Sequence, residues 1–136
     1  KSTNVSSTAE IIRLAFSNSA RVHYVSSISA LPAEAKEKWH FLNAREMDNK
    51  GGYAQSKVVS ERLLHQAMTE QNLKVCVFRP GTISGDSRSG FSNLKDFTNL
   101  LVFSCITMGG AVRRSAFSLS WIPADFVAKA IVGIAQ

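Results

Sequence analysis

The sequence predicts an α/β protein built on a parallel sheet. Three observations carry that expectation. Segments with helical spacing of apolar residues alternate with short strand-like runs, the order that a parallel sheet with crossover helices requires. The run Lys74-Val75-Cys76-Val77-Phe78-Arg79 is apolar without alternation, as a strand covered on both faces of a parallel sheet should be. The chemistry-bearing residues fall where the strand-like runs end, and open parallel sheets bind ligands outside the carboxyl ends of their strands.

Taken in order, residues 4–16 place Val5, Ile11, Ile12, Leu14, Ala15 and Phe16 at helical spacing, with Thr8 and Glu10 early. Ser17-Asn18-Ser19-Ala20 interrupts, and Arg21-Val22-His23-Tyr24-Val25 reads as a strand ending in Ser26-Ser27-Ile28-Ser29. Between residues 30 and 50 the pattern is mixed. Leu31-Pro32 opens a turn, residues 33–38 suit a short helix, and 48–52 read as loop. A long helix is expected over 52–70, with Val59, Leu63 and Ala67 along one line and Leu64 and Met68 along the next. Pro80-Gly81 ends the second strand, and a Gly/Ser-rich loop occupies 82–90. A helix follows over 93–107, closed by Gly109-Gly110, then a short strand within 116–121. The last helix runs over 124–135, with Pro123 at its start and Asp125 near its positive end.

Composition narrows the class. At 136 residues and 45% hydrophobic content the chain suits one domain, 1–136, with a real core. No apolar run approaches the roughly 18–20 residues of a membrane span. The formal charge of +6 suits an anionic ligand such as a dinucleotide or a phosphorylated tether. The basic residues are scattered, with only Arg113-Arg114 adjacent, which argues against nucleic acid. Cys76 and Cys105 are far apart, so the expectation is two reduced, buried thiols in a cytoplasmic protein. His23, His40 and His65 have no ligand-like spacing to other donors, so no metal is expected. Gly85-Asp86-Ser87 fails the serine-hydrolase elbow, because Ser89 stands in place of the second glycine and no histidine follows residue 65.

The chemistry centres on Gly51-Gly52-Tyr53-Ala54-Gln55-Ser56-Lys57. Tyr53 and Lys57 lie four residues apart and project from one helix face. An ammonium beside a phenol favours the phenolate, which moves its pKa down from about 10 and suits it to exchanging a proton with a reacting carbonyl. Ser26 and Ser27 leave the first strand, and Pro80 to Ile83 leave the second. A hydroxyl donor, a tuned phenol and a backbone shelf would then converge on one oxyanion formed by hydride addition.

Strand–Ser26-Ser27, then Gly52-Tyr53-Ala54-Gln55-Ser56-Lys57, then Phe78-Arg79-Pro80-Gly81-Thr82-Ile83 resembles the extended short-chain dehydrogenase/reductase family. With Ser84-Gly85-Asp86-Ser87, Gly90, Asn93, Asp96-Phe97 and Pro123 to Ala128, it is similar to the thioester reductase domains of non-ribosomal peptide synthetases, carboxylic acid reductases and aminoadipate reductases. The resemblance covers nearly the whole chain. It implies a Rossmann-like parallel sheet with flanking helices, and reduction by NADPH of an acyl thioester carried on a phosphopantetheine carrier domain. Tyr53 would donate the proton. Lys57 would lower its pKa and hold the nicotinamide ribose. Ser27 would donate to the oxyanion, with Ser26 beside it. Pro80, Gly81, Thr82 and Ile83 would pack beside the nicotinamide, Asn4 would contact the cofactor from its helix, and Asp86, Ser87 and Asn93 would shape the acyl entrance. Ser7 stands where the family usually has glycine. The family's phosphate-binding Gly-x-x-Gly-x-x-Gly turn is absent, so the sequence looks like the second half of a dinucleotide-binding fold and a part of a longer chain. A sugar epimerase or steroid dehydrogenase of the same extended family, or a non-catalytic nucleotide-sensing module, is the alternative.

Overall fold

The chain divides into two units, one of residues up to Pro80 and one from Gly81 to Ile134. The computed structural model describes residues 2–32, 41–111 and 121–136.

In the first unit the expected helix forms as α1 (Ser2–Ser17), followed by strand β1 (Val22–Val25). A short 3-10 turn (Ile28–Ala30) and helix α2 (Ala44–Asp48) precede the long helix α3 (Gly52–Gln71), and strand β2 (Val75–Phe78) closes the unit. β1 and β2 pair in parallel, Val22 opposite Val75 and Val25 opposite Phe78, so α3 is the crossover that a parallel pair needs. It ends on Asn72, whose left-handed backbone (φ 54°) lets its N–H reach the Ala67 carbonyl.

The core of this unit is Ala15, Val22, Leu64, Ala67 and Leu73, with Ile12, Tyr24, Val75 and Val77 packed against it. A second cluster joins Ala30, Leu42 and Val58, with Met47 alongside. The alternation of the strands follows from this. Val22, Tyr24, Val75 and Val77 turn towards the core, while His23 stacks on Phe78, ring centroids 6.1 Å apart, on the other face. The expectation of a second strand buried on both faces is therefore corrected. All four residues of β2, Cys76 among them, are half-buried, because among the described residues one face of the pair is packed.

Two further differences have local causes. α2 arises within the mixed stretch because Asn43 and Glu46 form a capping box: the Glu46 N–H donates to Asn43 Oδ1 at 2.9 Å and the Asn43 N–H to Glu46 Oε2 at 2.8 Å. On α3 the buried set is Ala54, Ser56, Val58, Ser60, Glu61, Leu64 and Ala67, rather than the line through Val59 and Leu63. Polar residues enter it because α1 packs there through hydroxyls: Thr8 Oγ1 donates to Ser60 Oγ at 3.1 Å, fully buried.

The second unit begins with strand β3 (Thr82–Ile83), inside the stretch expected to be loop, paired in parallel with β4 (Trp121–Ile122). Helix α4 (Phe97–Met108) starts later than expected, where Asp96 caps it by accepting from the Thr98 N–H. It ends on Gly109 at φ 65°, a conformation that favours glycine. Helix α5 (Ala124–Ala135) follows Pro123 as expected. The short helix expected over 33–38, and the 116–120 part of the expected strand, lie outside the described residues. No helix among the described residues is long and apolar enough to cross a membrane.

Candidate active site

The carboxyl end of β1 and the first turns of α3 meet in the first unit. Beyond the strand pair the ladder continues: the Ser26 N–H donates to the Phe78 carbonyl at 2.7 Å and the Ile28 N–H to the Pro80 carbonyl at 3.0 Å. The chain after β1 is thus held by backbone bonds to the chain after β2. Lys57 ties α3 to the same place, its Nζ donating to the Val25 carbonyl at 2.8 Å. That ammonium lies 4.9 Å from the Tyr24 ring centroid and 5.8 Å from that of Tyr53, within reach of both π-faces. Tyr53 itself is 60% exposed, unusual for so large a ring.

The two serines differ. Ser26 is 4% exposed and its hydroxyl has no partner among the described residues. Ser27 is half-buried, in extended conformation, and caps the 3-10 turn by accepting from the Ser29 N–H at 3.2 Å and from the Ser29 hydroxyl at 2.9 Å.

The first turn of α3 is fixed from several sides. Gln55 Nε2 donates to the Met47 and Lys50 carbonyls, both at 3.0 Å, and so pins the loop that leads into the helix. Ser56 Oγ donates to the Tyr53 carbonyl at 2.7 Å and accepts from Asn4 Nδ2 at 3.0 Å. Asn4, expected at a cofactor, spends its side-chain amide on this seam between α1 and α3. One turn further, the Arg79 guanidinium forks onto the buried Glu61 carboxylate, at 2.6 Å for its shortest contact. This pair fastens α3 to the residue preceding Pro80.

Pro80 belongs to the unit that holds Tyr53, Lys57, Ser26, Ser27 and Asn4; Gly81, Thr82 and Ile83 belong to the second unit. In that unit Asp125, at the start of α5, accepts from the Ser87 N–H at 3.0 Å and the Ser87 hydroxyl at 2.9 Å. These bonds, the backbone one foremost, hold its carboxyl below the ordinary 3.8 despite desolvation and the nearby Asp86 charge. Asp86 is lowered likewise, chiefly by the Ser89 N–H, then by the Ser89 hydroxyl and the Arg88 N–H. An open cavity of about 340 Å³ in this unit is lined by Ile83, Ser84, Phe91, Asn93 and Asp96, among others.

Sequence reasoning missed Ser29, Gln55, Ser56 and Glu61. Each acts through contacts that spacing alone does not reveal, although Ser27-x-Ser29 and Ser56 one residue before Lys57 were legible as hydroxyls close to the site.

The architecture is Rossmann-like, of the extended short-chain dehydrogenase/reductase kind. The chain belongs to the NAD-binding family described as male sterility protein, whose profile matches residues 1–131. It is 36% identical over 141 residues to glycine betaine reductase ATRR of Emericella nidulans, covering 100% of this chain and 11% of that protein. It is 33% identical to aldehyde reductase lnaA of Aspergillus flavus, covering 98% and 14%, and 34% identical to an isonitrile lipopeptide synthase of Streptomyces coeruleorubidus, covering 97% and 9%. Among solved structures it resembles the reductase domain of a non-ribosomal peptide synthetase from Mycobacterium tuberculosis (TM-score 0.66, 28% identity, 96% of this chain and 36% of that one). The aureusimine biosynthetic cluster reductase domain shares the fold (TM-score 0.73, 24% identity, 98% and 38%). The chain therefore spans a small part of its curated relatives and well under half of these solved chains.

Proposed function

We propose that residues 1–136 form the carbonyl-handling part of one NADPH-dependent reductase domain that acts on an acyl thioester carried on a phosphopantetheine arm. The observation that carries this reading is the Lys57 bridge: one ammonium touches the carbonyl two residues before Ser27 and lies beside the exposed Tyr53 ring. The first unit suits the nicotinamide end of such a cofactor, because an open phenol, an ammonium and the buried hydroxyl of Ser26, without a partner among the described residues, are gathered there. Tyr53, Lys57, Ser26 and Pro80 would hold that end, with Asn4 behind them. Gly81, Thr82 and Ile83 enter this proposal through the family resemblance alone. The pyrophosphate needs a glycine-rich turn that this sequence does not contain, so that turn belongs to residues outside it.

A bound nicotinamide supplies the hydride. The chain's own residues manage the oxygen. As the thioester carbonyl becomes tetrahedral, the Ser27 hydroxyl donates to the developing oxyanion and Tyr53 gives it a proton. The Lys57 ammonium stabilises the charge then left on the phenol. Loss of the thiol, which takes up the hydroxyl proton, yields an aldehyde; an alcohol as product instead would need a second hydride from a second NADPH. Asp86, Ser87 and Asn93, with the cavity in the second unit, would receive the acyl arm.

The test is to follow NADPH consumption by the full-length protein with an acyl-carrier thioester. Tyr53→Phe should lower kcat by about 100-fold or more; undiminished turnover in that variant, or none in the unmodified protein, would sink the assignment. The 136-residue chain alone should bind NADPH poorly. Tight binding of NADPH to that chain by calorimetry would overturn the division of the cofactor site.

A further inference from the structure

Ser27 is the proposed oxyanion donor, yet a serine hydroxyl is ambivalent: it has one proton to give and two lone pairs that accept. Which role it plays is set by its neighbours. The Ser27 oxygen accepts from the Ser29 N–H at 3.2 Å and from the Ser29 hydroxyl at 2.9 Å. Both acceptor positions are thereby filled from one residue, and the Ser27 proton is left for a group outside the cap. We infer that Ser29 is a positioning residue that presets the Ser27 hydroxyl as a donor, selecting a carbonyl or alkoxide oxygen as its partner. This rests on the reductase reading above.

The backbone holds the pair in register. The Ala30 N–H donates to the Ser27 carbonyl at 3.0 Å, the Leu31 N–H to the Ile28 carbonyl at 3.1 Å, and the Ile28 N–H to the Pro80 carbonyl at 3.0 Å. The turn is therefore closed on itself and bonded to the end of β2, and both serines are half-buried. A hydroxyl whose lone pairs are engaged needs no rotation when charge develops on its partner, which is the condition for preorganised stabilisation. Without the Ser29 hydroxyl, Ser27 keeps its capping bond from the Ser29 N–H but regains a free lone pair. It could then accept from solvent and turn its own proton elsewhere.

The experiment compares Ser29→Ala, Ser29→Thr, Ser27→Ala and the Ser27→Ala/Ser29→Ala double variant in the full-length protein. The readouts are kcat, the KM for NADPH and thermal unfolding. We expect Ser29→Ala to lower kcat about tenfold, the size of one lost orienting hydrogen bond, with the KM for NADPH unchanged. Ser29→Thr, which keeps the hydroxyl, should restore most of the rate. Ser27→Ala should lose about 100-fold or more, and the double variant no more than that. Ser29→Ala at full rate beside an impaired Ser27→Ala overturns this inference and leaves the reductase reading standing. A lower melting temperature without a change in kcat also overturns it, because Ser29 would then be a turn stabiliser only. Ser27→Ala at full rate sinks both. Should Ser29→Ala fail to fold, Ser29→Cys, close in size but a weak donor, gives the same comparison: an intermediate kcat supports the inference and an unchanged one overturns it.

Discussion

The two units of this chain are stabilised in different ways. The first closes apolar side chains between α1, α3 and the β1–β2 pair, with Leu64 and Val58 essentially inaccessible to solvent. It also buries polar groups that pair across an interface, Glu61 with Arg79 and Thr8 with Ser60. Of the described residues in the second unit, only Thr98 is buried, and α4 and α5 present Phe97, Phe103, Ile106 and Phe126 to solvent. What orders its loop is polar and exposed, namely Asp125 on Ser87 and Asp86 on Ser89. The residues proposed for proton transfer rest on the first kind of structure: Tyr53 itself is exposed, but α3, which carries it, is packed. Acid–base chemistry requires side chains fixed to a fraction of an ångström, and a packed core with satisfied polar seams provides that. The residues proposed to meet the acyl arm sit in the second kind, where a loop can adapt to a variable guest.

This contrast can be broken or sharpened by mutation. The largest stability effect should come from Glu61→Gln, which removes the charge opposite Arg79 at a site with 2% of the carboxylate side chain exposed. Breaking such a buried pair costs about 3 kcal/mol or more, read as a fall in melting temperature of the full-length protein. A variant as stable as the unmodified protein would mean that the pair does not fasten α3 to β2. Gly85→Ala should come next. A Cβ there would sit 2.9 Å from the Phe91 carbonyl oxygen and 3.1 Å from that of Gly90, both backbone atoms that cannot swing aside. The expected cost is about 1–3 kcal/mol, typical of overpacking, with KM for the acyl carrier rising more than kcat falls. Equal KM values would detach this loop from the substrate.

The smallest effect should follow pH. Asp125 and Asp86 both have folded-state pKa values below the ordinary 3.8, so their bonds stabilise the loop above that value. The contribution is lost as pH falls through the lower folded values, and neutral conditions leave it intact. Amide hydrogen exchange at Ser87 should therefore be protected at neutral pH and accelerate in acid beyond its intrinsic pH dependence. Asp125→Asn should lose that protection at neutral pH; an unchanged exchange rate would show that the clasp does not order the loop.

Much of the fold was legible because it is written in local pattern. Helical spacing placed α1 and α3 to within about two residues, and Pro123 marked the start of α5. The capping box of Asn43 and Glu46 was equally local and was overlooked, because the surrounding stretch lacks apolar periodicity. β3 was unreadable for a different reason. Two residues carry no period, and Thr82-Ile83 becomes a strand only because Trp121-Ile122 comes to lie beside it. The half-burial of β2 was likewise beyond a pattern argument, since an apolar run records what a strand tolerates and not what covers it.

By itself the sequence determined that Tyr53 and Lys57 share one face of a helix, because four residues make about one turn whatever surrounds them. It also set hydroxyls at the end of β1. The tertiary structure alone decided where those groups are spent. Lys57 finds a carbonyl 32 residues away, Asn4 a hydroxyl 52 residues away, and Asp125 a serine 38 residues away. Backbone geometry fixes neighbours within a turn or a strand, whereas contacts between distant residues depend on how the chain packs to bury its apolar surface. The spacing supplied the phenol and its ammonium, and the packing directed that ammonium to the strand end that carries Ser27.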